Sequence, residues 1–287
     1  MEVSRVEGVA EYRELVGPLL DRAPARHNLI NGLLDVLRRR PDTYQAYHLW
    51  AVQEDGDVVA AAMQTPPYNL ALAEPLDEGA IAPLAAAIID AGVRLPGVLG
   101  GLSEANAFAA AWIALVGGST STTTRQGIYE LTEVRHHGDA EGKERVATHA
   151  DLDLIMEWHD AFIAEAVPEF TGDLESRARR ARSAIEEGGY WLWEVDDRAV
   201  SMTGSSAAPP DGTRIGPVYT PPAERGHGYA TALVAHVSDV ALERGRRACY
   251  LHTDLANATS NAMYQRIGYE RICDAIDLRF VPPDEPS

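Results

Sequence analysis

IGPVYTPPAERGHGYATALVAHV, residues Ile215 to Val237, has the form of a strand that runs into a helix. The strand ends at Tyr219-Thr220, and Pro221-Pro222 stops its extension, because proline has no N–H for a ladder. The chain then enters a helix through Arg225-Gly226-His227-Gly228-Tyr229-Ala230. The first turn of a helix has unpaired N–H groups and a partial positive charge. Glycines at 226 and 228 let a ligand come close to the backbone. A loop of this kind can hold a pyrophosphate. Leu233, Val234 and Val237 supply the packing face behind it.

Alone, a glycine-rich turn is also what an ordinary strand–helix connection looks like. No GK[ST] follows, so it is not a Walker loop, and no GxGxxG dinucleotide fingerprint is present. A second segment follows in order. LHTDLANATSNAMYQRIGY, Leu251 to Tyr269, reads as a strand, a loop and a helix that ends in a glycine–aromatic pair. Asn257 sits where a turn or cap residue is expected. Tyr264 lies on the helix.

Together the two segments resemble the cofactor core of the GNAT N-acetyltransferases. Arg225, Gly226, His227, Gly228, Tyr229 and Ala230 fit that family's R/Q-x-x-G-x-G/A motif. The resemblance implies acetyl-CoA as acyl donor. Its pyrophosphate would be gripped by the loop and the helix start through Thr231, and its pantetheine arm would lie along a splayed strand at Val218 and Tyr219. It also implies that Asn257 contacts the cofactor arm and that Tyr264 acts as general acid on the departing sulfur. A phenol of pKa ~10 can donate that proton.

Working outward, YWLWEV (Tyr190 to Val195) is aromatic and β-branched, as strands are. Further strands are predicted at Arg145–Ala147, Ala199–Ala207, Thr213–Thr220, Ala248–Thr253 and Ala275–Phe280. Helices are predicted at about Ala150–Ala166, ended by Pro168, and at Asp173–Glu187, Gly226–Glu243 and Ala258–Arg266. The order is α/β with a mixed sheet. A polar stretch, HHGDAEGKER (His136 to Arg145), lacks apolar periodicity and reads as a linker.

The first half repeats the order. Helices are predicted near Val9–Leu20, His27–Arg40, Asp77–Ala91 and Glu104–Leu115. Strands are predicted at Tyr44–Gln53, Val58–Thr65, Tyr68–Ala73, Gly97–Gly100 and Gly127–Val134. The expectation is a GNAT-type mixed β-sheet flanked by helices, with a divergent GNAT-like N-terminal domain over residues 1–137. An acetyl-CoA-binding catalytic domain follows over 143–287. YNLALAEPLDEG (Tyr68 to Gly79) lacks the loop motif and is acidic, so the first half is read as degenerate and as shaping the substrate cleft.

The 287 residues are 46% hydrophobic, enough for two domains of roughly 100–150 residues. The start of the chain is not a signal peptide, and no apolar run reaches the ~20 residues of a membrane span. A soluble, cytoplasmic protein is expected. The net charge of −18 argues against nucleic acid as a partner and is compatible with a cationic substrate. Cys249 and Cys273 show no metal or redox spacing and read as two buried thiols.

The functional expectation is an N-acetyltransferase that moves an acetyl group to a small-molecule or peptide amine by direct transfer. Rivals are a non-catalytic acyl-CoA sensor and an enzyme with a longer acyl donor or a hydroxyl acceptor. The sensor is motivated by RIGPVYTPP (Arg214 to Pro222), which carries no carboxylate to serve as base. Glu194, Glu169, His252 and Asp254 are the other base candidates, each with a solvated or capping role as the plainer reading. His227 is expected on the phosphate side. No metal is expected.

Overall fold

The computed structural model describes residues 1–166 and 174–283. Pro168, Glu169 and Asp173 lie outside the described residues. The chain divides into two units. The first comprises Met1–Ile128, Asp254–Ala256 and the chain from Ile272 onward; the second comprises Tyr129–Thr253 and Asn257–Arg271.

The first stretch of chain forms β1 (Glu2–Val6), α1 (Val9–Leu20), α2 (Asn28–Arg39), β2 (His48–Glu54), β3 (Asp57–Gln64) and β4 (Leu70–Leu72). Then come α3 (Ile81–Asp90), β5 (Gly97–Gly101), α4 (Leu102–Val116) and β6 (Ser119–Leu131). β2 and β3 form a hairpin across Asp55-Gly56, both at positive φ. Their side chains alternate, as a two-faced sheet requires. Trp50, Val52, Ala60 and Ala62 face α3 and α4. Leu49, Ala51, Ala61 and Met63 face α1 and α2.

The second stretch forms β7 (Lys143–Val146), α5 (Leu152–Ala166), α6 (Leu174–Glu186), β8 (Tyr190–Val195), β9 (Arg198–Ala208) and β10 (Gly212–Tyr219). It continues with α7 (Tyr229–Glu243), β11 (Ala248–Asp254), α8 (Ala258–Ile267) and β12 (Glu270–Val281). Within the second unit the strands run β11-β10-β9-β8-β7. Trp191, Trp193 and Val200 pack under α7 and α8. Tyr190, Leu192 and Met202 alternate onto the other face, under α5 and α6. Each unit is thus a mixed sheet with helices on both faces. Each fully buried Leu or Ile in these layers contributes roughly 1.5–3 kcal/mol.

The structure departs from the sequence reading at β12. This last strand was grouped with the second half of the chain. It pairs instead with β5 of the first unit, antiparallel, from Ala275↔Gly101 to Arg279↔Gly97. Ile276 and Leu278 enter the core under α3 and α4. Backbone pairing over such a sequence separation leaves no local mark, since β12 has the strand pattern either way. β1 was not expected, and β6 starts eight residues earlier than read, at Ser119.

The stretch read as a linker has no regular structure from Thr132 to Gly142, yet it is fastened to the second unit. The Arg135 N–H donates to the Ile267 carbonyl at 2.7 Å. Trp193 Nε1 donates to the Glu141 carbonyl at 2.8 Å, and His137 bonds Asp239 of α7. Ala140 packs against the core under α7.

Cys249 is fully buried, and burial pushes its thiol up to about 12. Cys273 is only partly buried, against the reading of two buried thiols. No helix among the described residues is long and apolar enough to cross a membrane.

Candidate acyl-carrier site in the second unit

β10 and β11 are parallel, and their described pairing covers three rungs: Gly212↔Ala248, Thr213↔Cys249 and Arg214↔Tyr250. Both strands continue past the last rung, to Tyr219 and Asp254, without further pairing to each other among the described residues. On its other side β10 stays paired with β9 up to Tyr219↔Met202, across a bulge between Ile215 and Val218. The bulge crowds the opposite strand. A Cβ at Gly204 would stand 2.5 Å from the Gly216 carbonyl oxygen, so only glycine fits there. The two strands therefore part beyond Arg214, and Val218 and Tyr219 lie on the parted segment. Backbone groups that leave a ladder need other partners.

The loop after β10 turns the chain into α7. Gly226 and Gly228 hold φ of +86° and +82°, and Gly228 is the N-cap of α7. No side chain caps this N-terminus. Arg225, Gly226, His227 and Gly228 are exposed, whereas Tyr229 and Thr231 are buried and anchor the first turn. Ala230 is half-buried. The His227 ring stacks on Tyr229, with centroids 5.3 Å apart, and its Nδ1 lies 3.2 Å from the Glu224 carbonyl oxygen. The structure thus brings every residue of the quoted loop to one uncapped helix start, next to the parted strands.

Tyr264, on α8, is 7% exposed and meets Tyr269 edge-on at 5.9 Å. Its hydroxyl has no hydrogen-bond partner among the described residues, and burial pushes its pKa up, so the phenol holds its proton. Asn257 caps α8: its Oδ1 accepts the Ser260 N–H at 3.0 Å.

The base candidates separate. Glu194 is held by Arg145, whose Nε donates to it at 2.6 Å while both terminal nitrogens donate to Asp151 at 2.7 Å. Asp254 accepts the Ala256 N–H at 2.8 Å in a turn. His252 is half-buried on β11, two residues past the last rung. Burial, and then Arg214, keep its imidazole neutral well below the usual histidine range.

One carboxylate escaped the sequence reading. Glu165, in the last turn of α5, accepts from Arg225 Nη2 at 2.9 and 2.7 Å and lies 3.4 Å from the Tyr219 hydroxyl. Burial, then the Glu165 charge, raise the Tyr219 pKa. No local motif marks Glu165, sixty residues before its partner.

A model of the acetyltransferase (GNAT) family matches residues 155–269. The chain carries a GNAT acetyltransferase domain. The match takes in α5 from Ile155 onward, the loop before α7, and α8. GNAT folds cover the rest of the chain too. The GCN5-related N-acetyltransferase from Sphaerobacter thermophilus is 18% identical with a TM-score of 0.64, over 99% of this chain and 98% of that one. A GNAT-family acetyltransferase from Colwellia psychrerythraea is 11% identical with a TM-score of 0.63, over 98% and 100%. A tandem GNAT protein of the clavulanic acid biosynthesis pathway is 14% identical with a TM-score of 0.56, over 100% of both chains. At these identities the likeness is one of fold. No curated protein sequence matches the chain.

Proposed function

We propose that the second unit binds acetyl-CoA between β10 and β11 and transfers its acetyl group directly to an amine. The observation that carries this reading is the end of β10–β11 pairing at Arg214–Tyr250, next to the uncapped start of α7. The N–H groups of the Gly226–Thr231 turn and the partial positive charge there suit a pyrophosphate. The parted backbone at Val218 and Tyr219 suits the amides of a pantetheine arm. One of these N–H groups polarises the thioester carbonyl. Asn257, at the head of α8, lines the same route.

Holding amine and thioester in one cleft supplies much of the rate. Tyr264 gives its proton to the departing thiolate, for which a phenol kept protonated by burial is suited. His252, two residues past the last rung, receives the proton that the amine loses as it attacks; burial and Arg214 disfavour its charged form, so it passes that proton on rather than storing it. The first unit has the acidic loop Glu74–Gly79 where the second has Arg225–Ala230, and Asp77 there already accepts the Gly79 N–H at 2.7 Å. A carboxylate at that turn repels a pyrophosphate, so we assign the first unit no acetyl-CoA.

Isothermal calorimetry of the full chain with acetyl-CoA tests the reading, beside an Arg225→Glu variant. One site per chain, lost in the variant, is expected. Free thiol release with an amine panel then identifies the acceptor class. Absence of binding both in the wild type and in a Glu165→Gln variant, which frees Arg225 from its carboxylate partner, sinks the proposal, and binding without any thiol release points to a sensor.

A further inference from the structure

The Glu165–Arg225 pair joins α5 to the loop that leads into α7. Arg225 Nη2 donates to both Glu165 oxygens, its Nε donates to the Thr220 carbonyl at 2.9 Å, and its Cζ lies 5.8 Å over the Tyr219 ring. A guanidinium binds a carboxylate and a phosphate with the same fork of donors. The cation next to the proposed phosphate site is therefore already engaged by an internal anion. Both side chains are 47% exposed. An ion pair this wet is weak and yields to a stronger competitor.

We propose that Glu165 is a clasp on the acetyl-CoA loop. It holds Arg225 in the free protein, competes with the pyrophosphate for that guanidinium, and is released when acetyl-CoA binds. The proposal rests on the acetyl-CoA reading given above. Two like charges on one guanidinium repel, so an arriving pyrophosphate pushes the carboxylate off. The freed carboxylate lies beside the Tyr219 hydroxyl, on the face of β10 that α5 covers. Loading the acyl donor thereby exposes a negative group to a cationic amine, and the acceptor follows the donor.

A double-mutant cycle on the full chain tests the clasp. Calorimetric Kd values for acetyl-CoA are measured for wild type, Glu165→Gln, Arg225→Gln and the double variant. Removing the competitor is expected to tighten acetyl-CoA about fivefold, or to create measurable binding where the wild type shows none. In the Arg225→Gln background the same change is expected to alter Kd by less than about twofold, because nothing is left to compete for. Glu165→Gln binding no tighter than a wild type that binds overturns the clasp alone. An equal gain without Arg225 also overturns it, since the effect then comes from general charge. If neither wild type nor Glu165→Gln binds acetyl-CoA, the functional reading falls and the clasp falls with it.

Discussion

Arg214 and Tyr250 form the last parallel rung between β10 and β11, and the strands part immediately beyond them. The opening begins within two residues of His252 and five of Tyr219, and the strand on its far wall leads into the Gly226–Gly228 turn.

Gly228 sets the direction of α7. Its φ of +82° lies in the left-handed region, which costs a β-branched residue roughly 1–2 kcal/mol. Gly228→Val is expected to lower the unfolding free energy by about that amount and to weaken acetyl-CoA binding further by turning N–H groups away. Denaturant titration and calorimetry on the same sample separate the two effects. Unchanged affinity in a destabilised variant removes the turn from the site.

Tyr264→Phe keeps the ring that packs on Tyr269 and removes only an unpartnered hydroxyl. The melting temperature is expected to stay the same, while kcat with a responsive amine falls by about 10²-fold, the lower range for a general acid. The KM for acetyl-CoA should hardly move. A kcat equal to wild type strips Tyr264 of its proton.

The α5–β8 contact carries a pH signature. His159 lies 2.7 Å by its Nε2 from the Tyr190 hydroxyl, and burial, then Arg177, lower its pKa from 6.5 to about 4. The unfolded chain takes up this proton first, so the contribution is complete above 6.5 and is lost as pH falls toward 4. The wild type should therefore lose melting temperature between pH 6.5 and 4 more steeply than His159→Gln. Parallel curves for the two proteins would show that His159 does not titrate in this window.

β12 ties the end of the chain to its beginning. A chain stopped after Arg271 leaves β5 without its antiparallel partner and removes Ile276 and Leu278 from the core of the first unit. Hydrogen exchange is expected to lose protection in β5, α3 and α4 and to keep it in β8, β9 and α7. Equal loss in both sets would show that the two units unfold together.

Much of the second unit was legible because its signals are local. Alternation in YWLWEV, the proline pair after β10 and the glycines before α7 each act within a few residues, and the helices and strands they mark are where the structure has them. The N-cap reading of Asn257 is of the same kind. β6 was read late because its first turns of sequence, STSTTT, are polar; their β-branched threonines were the available signal. β1 has only one buried residue, Val6, and thus almost no pattern.

Glu165, Gly204 and the pairing of β12 were not legible, for a common reason. Each takes its meaning from a partner far along the chain: Glu165 from Arg225, Gly204 from the bulge at Gly216, β12 from β5. The sequence by itself determined the α/β class and the strand–glycine turn–helix unit, because propensity, turn chemistry and periodicity are short-range. Only the tertiary structure decided which sheet receives the last strand, where β10 and β11 part, and which carboxylate meets the loop arginine. Those outcomes depend on backbone pairing and side-chain packing between distant segments, for which the local pattern holds no record.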